Sequence, residues 1–216
     1  MGACLEILSI ETAITFLLSS VAIGIAPGPD NLFVLTQSAL YGRRAGLLVT
    51  LGLCTGLVGH TLAVALGLAA IVKASPVAFT ALKLIGAGYL LYLAWKAFTE
   101  TNEPLSKGGE TKGLNGLRLY GRGIVMNITN PKVSLFFLAY LPQFVDSERG
   151  SIMAQFGILG AMFLAMTLIV FGSIALLAGR LRRFWGESPR ARAIMNRIAG
   201  AVFVALALKL ILSQAA

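Results

Sequence analysis

Two dipeptides set the chemistry that this chain could do. Pro29-Asp30 stands in "IAPGPDNLFVL" and Pro131-Lys132 in "ITNPKVSLFFL". Each places a proline directly before a charge inside an apolar run. Proline lacks an N–H and disrupts helix hydrogen bonds on its N-terminal side. It is comfortable at the first position of a new helix. Asn130 reads as the N-cap before Pro131, and Gly28 takes the same place before Pro29. Each break therefore starts a half-helix whose free N–H groups must face protein, water or a ligand. A helix N-terminus carries partial positive charge and favours an anion. The pattern predicts a cradle for a carboxylate, such as that of an amino acid.

The charges themselves are the second part of that chemistry. Asp30 in a first turn agrees with the helix dipole, whereas Lys132 in a first turn opposes it. A charge at membrane depth costs at least about 2.5–3.5 kcal/mol on insertion scales. We expect Lys132 to pair with Asp30 in one state and to meet substrate or a proton in another. Asn31 and Asn127 flank the breaks and are further candidates for binding. Of the nine acidic residues, Asp30 alone falls inside a span. It is thus the first candidate for proton coupling. His60, the sole histidine, is the second. Thr36, Gln37 and Thr55 are weaker polar candidates.

No set of residues for catalysis, metal binding or a cofactor is legible. Cys4 and Cys54 form no CxxC pair, and we expect neither a disulfide nor a metal site from them. There is no Walker motif or GxSxG, and His60 has no nucleophile at a recognisable spacing. The chain reads as a non-enzyme.

The elements that position these residues are membrane helices. Residues are 57% hydrophobic and 12% charged, with a mean hydropathy of +0.82. Soluble domains are less apolar and about 25% charged. Six apolar stretches are long enough to span a bilayer. They run from about Thr12 to Leu40, Ala45 to Val72, Val77 to Phe98, Leu117 to Val145, Ile152 to Leu177 and Ala193 to Ser213. The first and fourth contain the breaks. The polar segment "TETNEPLSKGGETKGLNG" (99–116) is the one long connector. No cleavable signal peptide is expected, because the first basic residue is Arg43.

The net charge of +9 suits a membrane protein rather than a nucleic-acid binder. Most Lys and Arg flank three connections: Arg43 and Arg44; Lys96, Lys107, Lys112, Arg118 and Arg122; and Arg180, Arg182, Arg183, Arg190, Arg192 and Arg197. The positive-inside rule places these in the cytoplasm and both termini outside. Lys73, Lys83, Arg149 and Lys209 fall on the other side. Tyr89, Tyr92, Trp95 and Phe98 read as an interfacial belt, and Trp185 as a headgroup residue.

The halves repeat. "KLIGAGYLLYLAWK" (83–96) aligns without gaps to "NRIAGAVFVALALK" (196–209), and the two proline motifs align on Pro29 and Pro131. Three spans per repeat is an odd number, so the halves must lie inverted. Inverted repeats with broken helices mark transporters with a midplane site. The expectation is an all-α, single-domain membrane protein over 1–216. Its repeats cover about 10–98 and 117–213, joined by 99–116. Gly52-x-x-x-Gly56 predicts close helix packing, and the glycine-rich faces suggest a homodimer.

"APGPDNLFVLTQSALYGRRAGL", "GAGYLLYLAWKAF" and "NPKVSLFFLAYLPQFV" closely resemble the LysE/RhtB family of amino-acid exporters, over about residues 10 to 213. The resemblance implies a bacterial inner-membrane protein that exports amino acids or close derivatives by the proton motive force. Its motifs carry over onto Pro27, Gly28, Pro29, Asp30, Asn31, Asn130, Pro131 and Lys132. The wider superfamily also holds thiol-electron carriers and cadmium exporters. The two cysteines do not hold equivalent repeat positions, and a cadmium site wants clustered thiolates or carboxylates. The alternatives are export of a metal cation or another small metabolite, a channel, or a membrane scaffold that does not transport.

Overall fold

The computed structural model describes residues 7–74, 76–99, 115–187 and 189–212. The connector at 100–114, Cys4 and the side chains of Lys73, Trp185 and Arg180 to Arg192 lie outside the described residues. Among the described residues the fold is all helical. Helix α1 (Ile10–Ile25) meets α2 (Pro29–Tyr41) at the first break, with a bend of 59°. Then follow α3 (Arg43–Ala74), α4 (Pro76–Thr99) and α5 (Gly116–Thr129). Helix α6 (Pro131–Leu135) begins after the second break, which bends by 50°. Helices α7 (Ile152–Glu187) and α8 (Pro189–Leu212) complete the chain.

Among the described residues, α3 and α7 are long and apolar enough to cross a membrane, and each bent pair adds one span if counted together. Large apolar side chains such as Leu18, Leu66, Ile85, Ile169 and Leu212 are more than half exposed. Water would not tolerate that surface, but lipid matches it.

The apolar span in α7 ends at Ala178, one residue past the expected Leu177, while the helix itself runs on to Glu187, because arginines are good helix formers. Helix α8 likewise begins at Pro189, ahead of the apolar stretch expected from Ala193. One feature departs from the sequence reading. The apolar stretch after Pro131 is not one α-helix. It widens to a π turn at Phe136–Tyr140 and tightens to a 3-10 turn at Leu141–Phe144. Pro142 accounts for this, since its ring clashes with the carbonyl four residues back and it cannot donate to it.

Glycine lets two helices touch backbone to backbone. Gly52 of α3 faces Gly123 of α5: a Cβ on either would lie 3.0 Å from the other's Cα and would strike the facing backbone carbonyl, Tyr120 O or Val49 O. One turn on, Gly56 lies against the Asn127 side chain. Helices α3 and α5 thus run parallel. The contacts Gly46–Ala175 and Gly160–Thr61 make α3 and α7 antiparallel. Gly86–Leu210 and Gly200–Phe98 do the same for α4 and α8.

Two apolar clusters form. The larger is built around the rings of Phe16, Phe136, Phe137, Tyr140, Phe144 and Phe163, with centroids 5.0–6.5 Å apart. The smaller joins Val34 and Leu35 of α2 to Val49 and Leu53 of α3 and Phe171, Ile174 and Ala175 of α7.

Gly52→Val should destabilise the purified protein by about 1–3 kcal/mol through overpacking. Gly59→Ala, where a Cβ meets nothing within 4 Å, should be neutral or stabilising. Thermal unfolding in detergent measures both.

Candidate functional site

The first break leaves the last carbonyls of α1 without helical partners. Side chains from two other helices take them. Lys132 Nζ donates to Ile23 O at 3.2 Å and to Ala26 O at 3.1 Å. Asn31 Nδ2 donates to Gly24 O at 2.8 Å. Lys132 is only 6% exposed. Its charge opposes the dipole of its own helix, as expected from sequence. The ammonium, however, lies at the negative C-terminal end of α1, where a cation is favoured. One of the two penalties expected from sequence is therefore offset by a neighbouring helix.

Gly28 makes that approach feasible. Its φ of −167° is ordinary extended backbone, so conformation does not demand glycine. Space does, because a Cβ there would lie 2.9 Å from Lys132 Nζ. Pro29 opens α2 and Pro131 opens α6, both at the predicted first position. Asn130 is the N-cap of α6, its Oδ1 accepting from the Lys132 N–H at 3.0 Å. That donor is thus already used and is not free for a ligand.

Asp30 is 2% exposed in the first turn of α2. It lines a cavity of about 20 Å³ together with Lys132, Asn127, Gly24 and the α7 residues Met166 and Thr167. Apolar walls come from Ile23, Leu53, Leu57, Val133, Phe163 and Phe171. The space suits one water and is too small for an amino acid. Asp30 and Lys132 share this cavity without a direct ion pair, because the ammonium is engaged by α1.

Several buried polar atoms have no hydrogen-bond partner here. Asp30 Oδ1, Asn127 Oδ1 and Thr167 Oγ1 belong to cavity residues, and Asn31 Oδ1 and Asn130 Nδ2 belong to the breaks. Such groups are costly inside a protein. Three of the five are carbonyl-type oxygens that want a donor.

The structure therefore brings Asp30, Asn127 and Lys132 to one cavity and sets Gly28, Pro29, Asn31, Asn130 and Pro131 in the breaks that shape it. His60 does not line the cavity. Its Nε2 lies 3.3 Å from the backbone oxygen of Asn127, and its ring lies 5.6 Å from that of Phe137. Sequence reasoning missed Thr167. A hydroxyl amid "FLAMTLIVF" was its one signal, and only the packing of α7 shows that it faces Asp30's cavity.

Fold and site together define a helical membrane protein with a charged internal cavity where a broken helix ends. The sequence profile of the LysE type translocator family matches residues 21–214, and the chain belongs to that family. It is 31% identical over 208 residues to an "uncharacterized membrane protein" of Vibrio cholerae serotype O1, covering 96% of this chain and 100% of the relative. It is 31% identical over 200 residues to the homoserine/homoserine lactone efflux protein of Salmonella typhi, covering 91% and 94%. A leucine efflux protein of Salmonella choleraesuis is 26% identical over 196 residues, covering 91% and 92%. No solved structure matches significantly.

Lys132→Met strips the α1 carbonyls of their donor and leaves Asp30 without a nearby cation. With two carbonyls left unsatisfied at about 1–3 kcal/mol each, it should cost roughly 2–6 kcal/mol of stability. Adding Asp30→Asn should recover part of the loss, with a coupling of about 0.5–3 kcal/mol. A double-mutant cycle of thermal unfolding tests this, and strict additivity would sever the two residues.

Proposed function

We propose that this protein exports amino acids or close derivatives across the bacterial inner membrane by secondary active transport. The observation that carries the reading is the shared cavity of Asp30 and Lys132 in a translocator-family chain. The names of the homoserine and leucine efflux relatives support the substrate class. An amino acid offers one ammonium and one carboxylate. Asp30 Oδ1 and Asn127 Oδ1 are unpartnered acceptors suited to the ammonium. Lys132 suits the carboxylate, provided that it leaves the α1 carbonyls when substrate enters. The half-helix ends then contribute field rather than free N–H donors.

The same reading takes the chain as two inverted three-span repeats. The antiparallel pairs α3/α7 and α4/α8 support it. Helices α4 and α8 are 24 residues each, about 36 Å at the helical rise, enough for the bilayer core. The basic turn at Arg43 and Arg44 faces the cytoplasm and the termini face outside. Protons drive transport through Asp30. His60, held on a backbone oxygen away from the cavity, is the weaker coupling group. A homodimer through the open α3 glycines, Gly59 and Gly67, belongs to the same reading.

The test is an amino-acid pool assay. Cells lacking their own exporters are loaded with dipeptides, and each amino acid is followed inside and outside. The intact protein should speed the loss of one class. Asp30→Asn or Lys132→Ala removes a charge-assisted contact of about 1.5–3 kcal/mol, so efflux should fall roughly 10- to 100-fold at low substrate. Unchanged pools with normal membrane insertion would overturn the substrate class. Normal export by both variants would overturn the site.

A further inference from the structure

The polar face of α2 does not stop at the cavity. Gln37 and Ser38 lie two turns beyond Asp30, about 10–12 Å along the helix. Both are buried, at 3% and 5% exposure. Gln37 Oε1 and Ser38 Oγ have no hydrogen-bond partner. Their helix also carries Val34 and Leu35 of the small apolar cluster. Ser38 Oγ lies against Gly46 of α3, and Gly46 in turn meets Ala175 of α7. A buried glutamine amide whose oxygen is unsatisfied costs free energy that packing alone does not repay. In a membrane protein, buried polar groups mark pathways.

The two sides of the cavity are unequal in this respect. On the α1 side, Ser19 Oγ and the hydroxyl of Tyr140, itself part of the aromatic cluster, satisfy each other at 2.9 Å. Ser19 and Ser20 also donate to carbonyls of their own helix. On the α2 side, the seam is made of nine buried aliphatic side chains plus Phe171, and the unsatisfied pair lies on the same helix as its Val34 and Leu35. The seam ends at the α2–α3 turn, where Gly42 (φ 87°) precedes Arg43 and Arg44.

From this we infer that the substrate route between the cavity and the Arg43–Arg44 face runs along α2, lined by Gln37 and Ser38. It opens when α2 parts from α7. The structure holds that route shut, and the unsatisfied atoms are the groups that meet water or substrate in the open state. The inference rests on the exporter reading for the substrate, but its geometry can be read separately.

Cysteine accessibility tests it in membrane vesicles of both orientations. In a Cys4→Ser, Cys54→Ser background, Gln37→Cys and Ser38→Cys are exposed to a membrane-impermeant cationic methanethiosulfonate. Both should react from the face that carries Arg43, on the order of tenfold faster than Ser19→Cys or Ser20→Cys from that face. The transported amino acid should change the rate. Gln37→Leu should slow efflux at unchanged thermal stability or better, whereas a purely structural glutamine would leave efflux intact. Efflux by the background protein is measured in the same vesicles. Efflux without labelling at 37 and 38, or labelling only from the opposite face, overturns the route and spares the exporter reading. Labelling without efflux of any amino acid spares the route and overturns the exporter reading.

Discussion

A helix that ends inside a membrane must hand its last carbonyl oxygens to someone. In this protein α1 ends at Ile25, and Ile23, Gly24 and Ala26 find their donors in Lys132 and Asn31. That need explains several residues together. Gly28 is small because the ammonium passes beside it, and Asn130 caps α6 so that Lys132 starts from a fixed backbone. The charge of Lys132 is tolerable because a helix C-terminus receives it. Asp30 then has a cation in its own cavity without being locked to it.

Around this joint the packing is built for close approach. The contact of Gly52 with Gly123 brings α3 and α5 together and sets Asn127 against Gly56, facing the cavity. The aromatic cluster closes one side of the cavity and the α2–α3–α7 seam the other. Cores of this kind switch between discrete arrangements rather than deforming smoothly. A water-sized cavity between two unequal closures is what an occluded transporter would present. Substrate entry would then exchange the Lys132–carbonyl contacts for contacts to a carboxylate.

Much of this was legible in the sequence. The proline–charge motifs located both breaks to the residue, because proline at a first helical position leaves little freedom. Apolar length gave the extent of most helices, and Gly52-x-x-x-Gly56 announced a close contact. The destination of long side chains was not legible. Nothing local to "NPKVS" says that its lysine reaches the end of a helix over a hundred residues earlier. Thr167 faced the same obstacle, since a lone hydroxyl in an apolar run names no partner. The π turn was overlooked for a different reason. Pro142 was visible, but the unbroken hydropathy of "LFFLAYLPQFV" hid its effect on the backbone. Apolar length locates the end of the span in α7 to within a residue, but it does not say that the helix continues through the arginines to Glu187.

The central claim is that one cavity recognises both ends of an amino acid, Asp30 the ammonium and Lys132 the carboxylate. The most direct measurement is thermal stabilisation of the purified protein by matched ligands. Leucine and homoserine are compared with isocaproate, which lacks the ammonium, and isoamylamine, which lacks the carboxylate. A ligand at about a hundred times its dissociation constant adds about 2.7 kcal/mol to the folded state. The account predicts that at least one of the two amino acids raises the unfolding temperature and that neither analogue does so at the same concentration. Equal stabilisation by either analogue would contradict it, because one of the two charges in the cavity would then have no part in recognition.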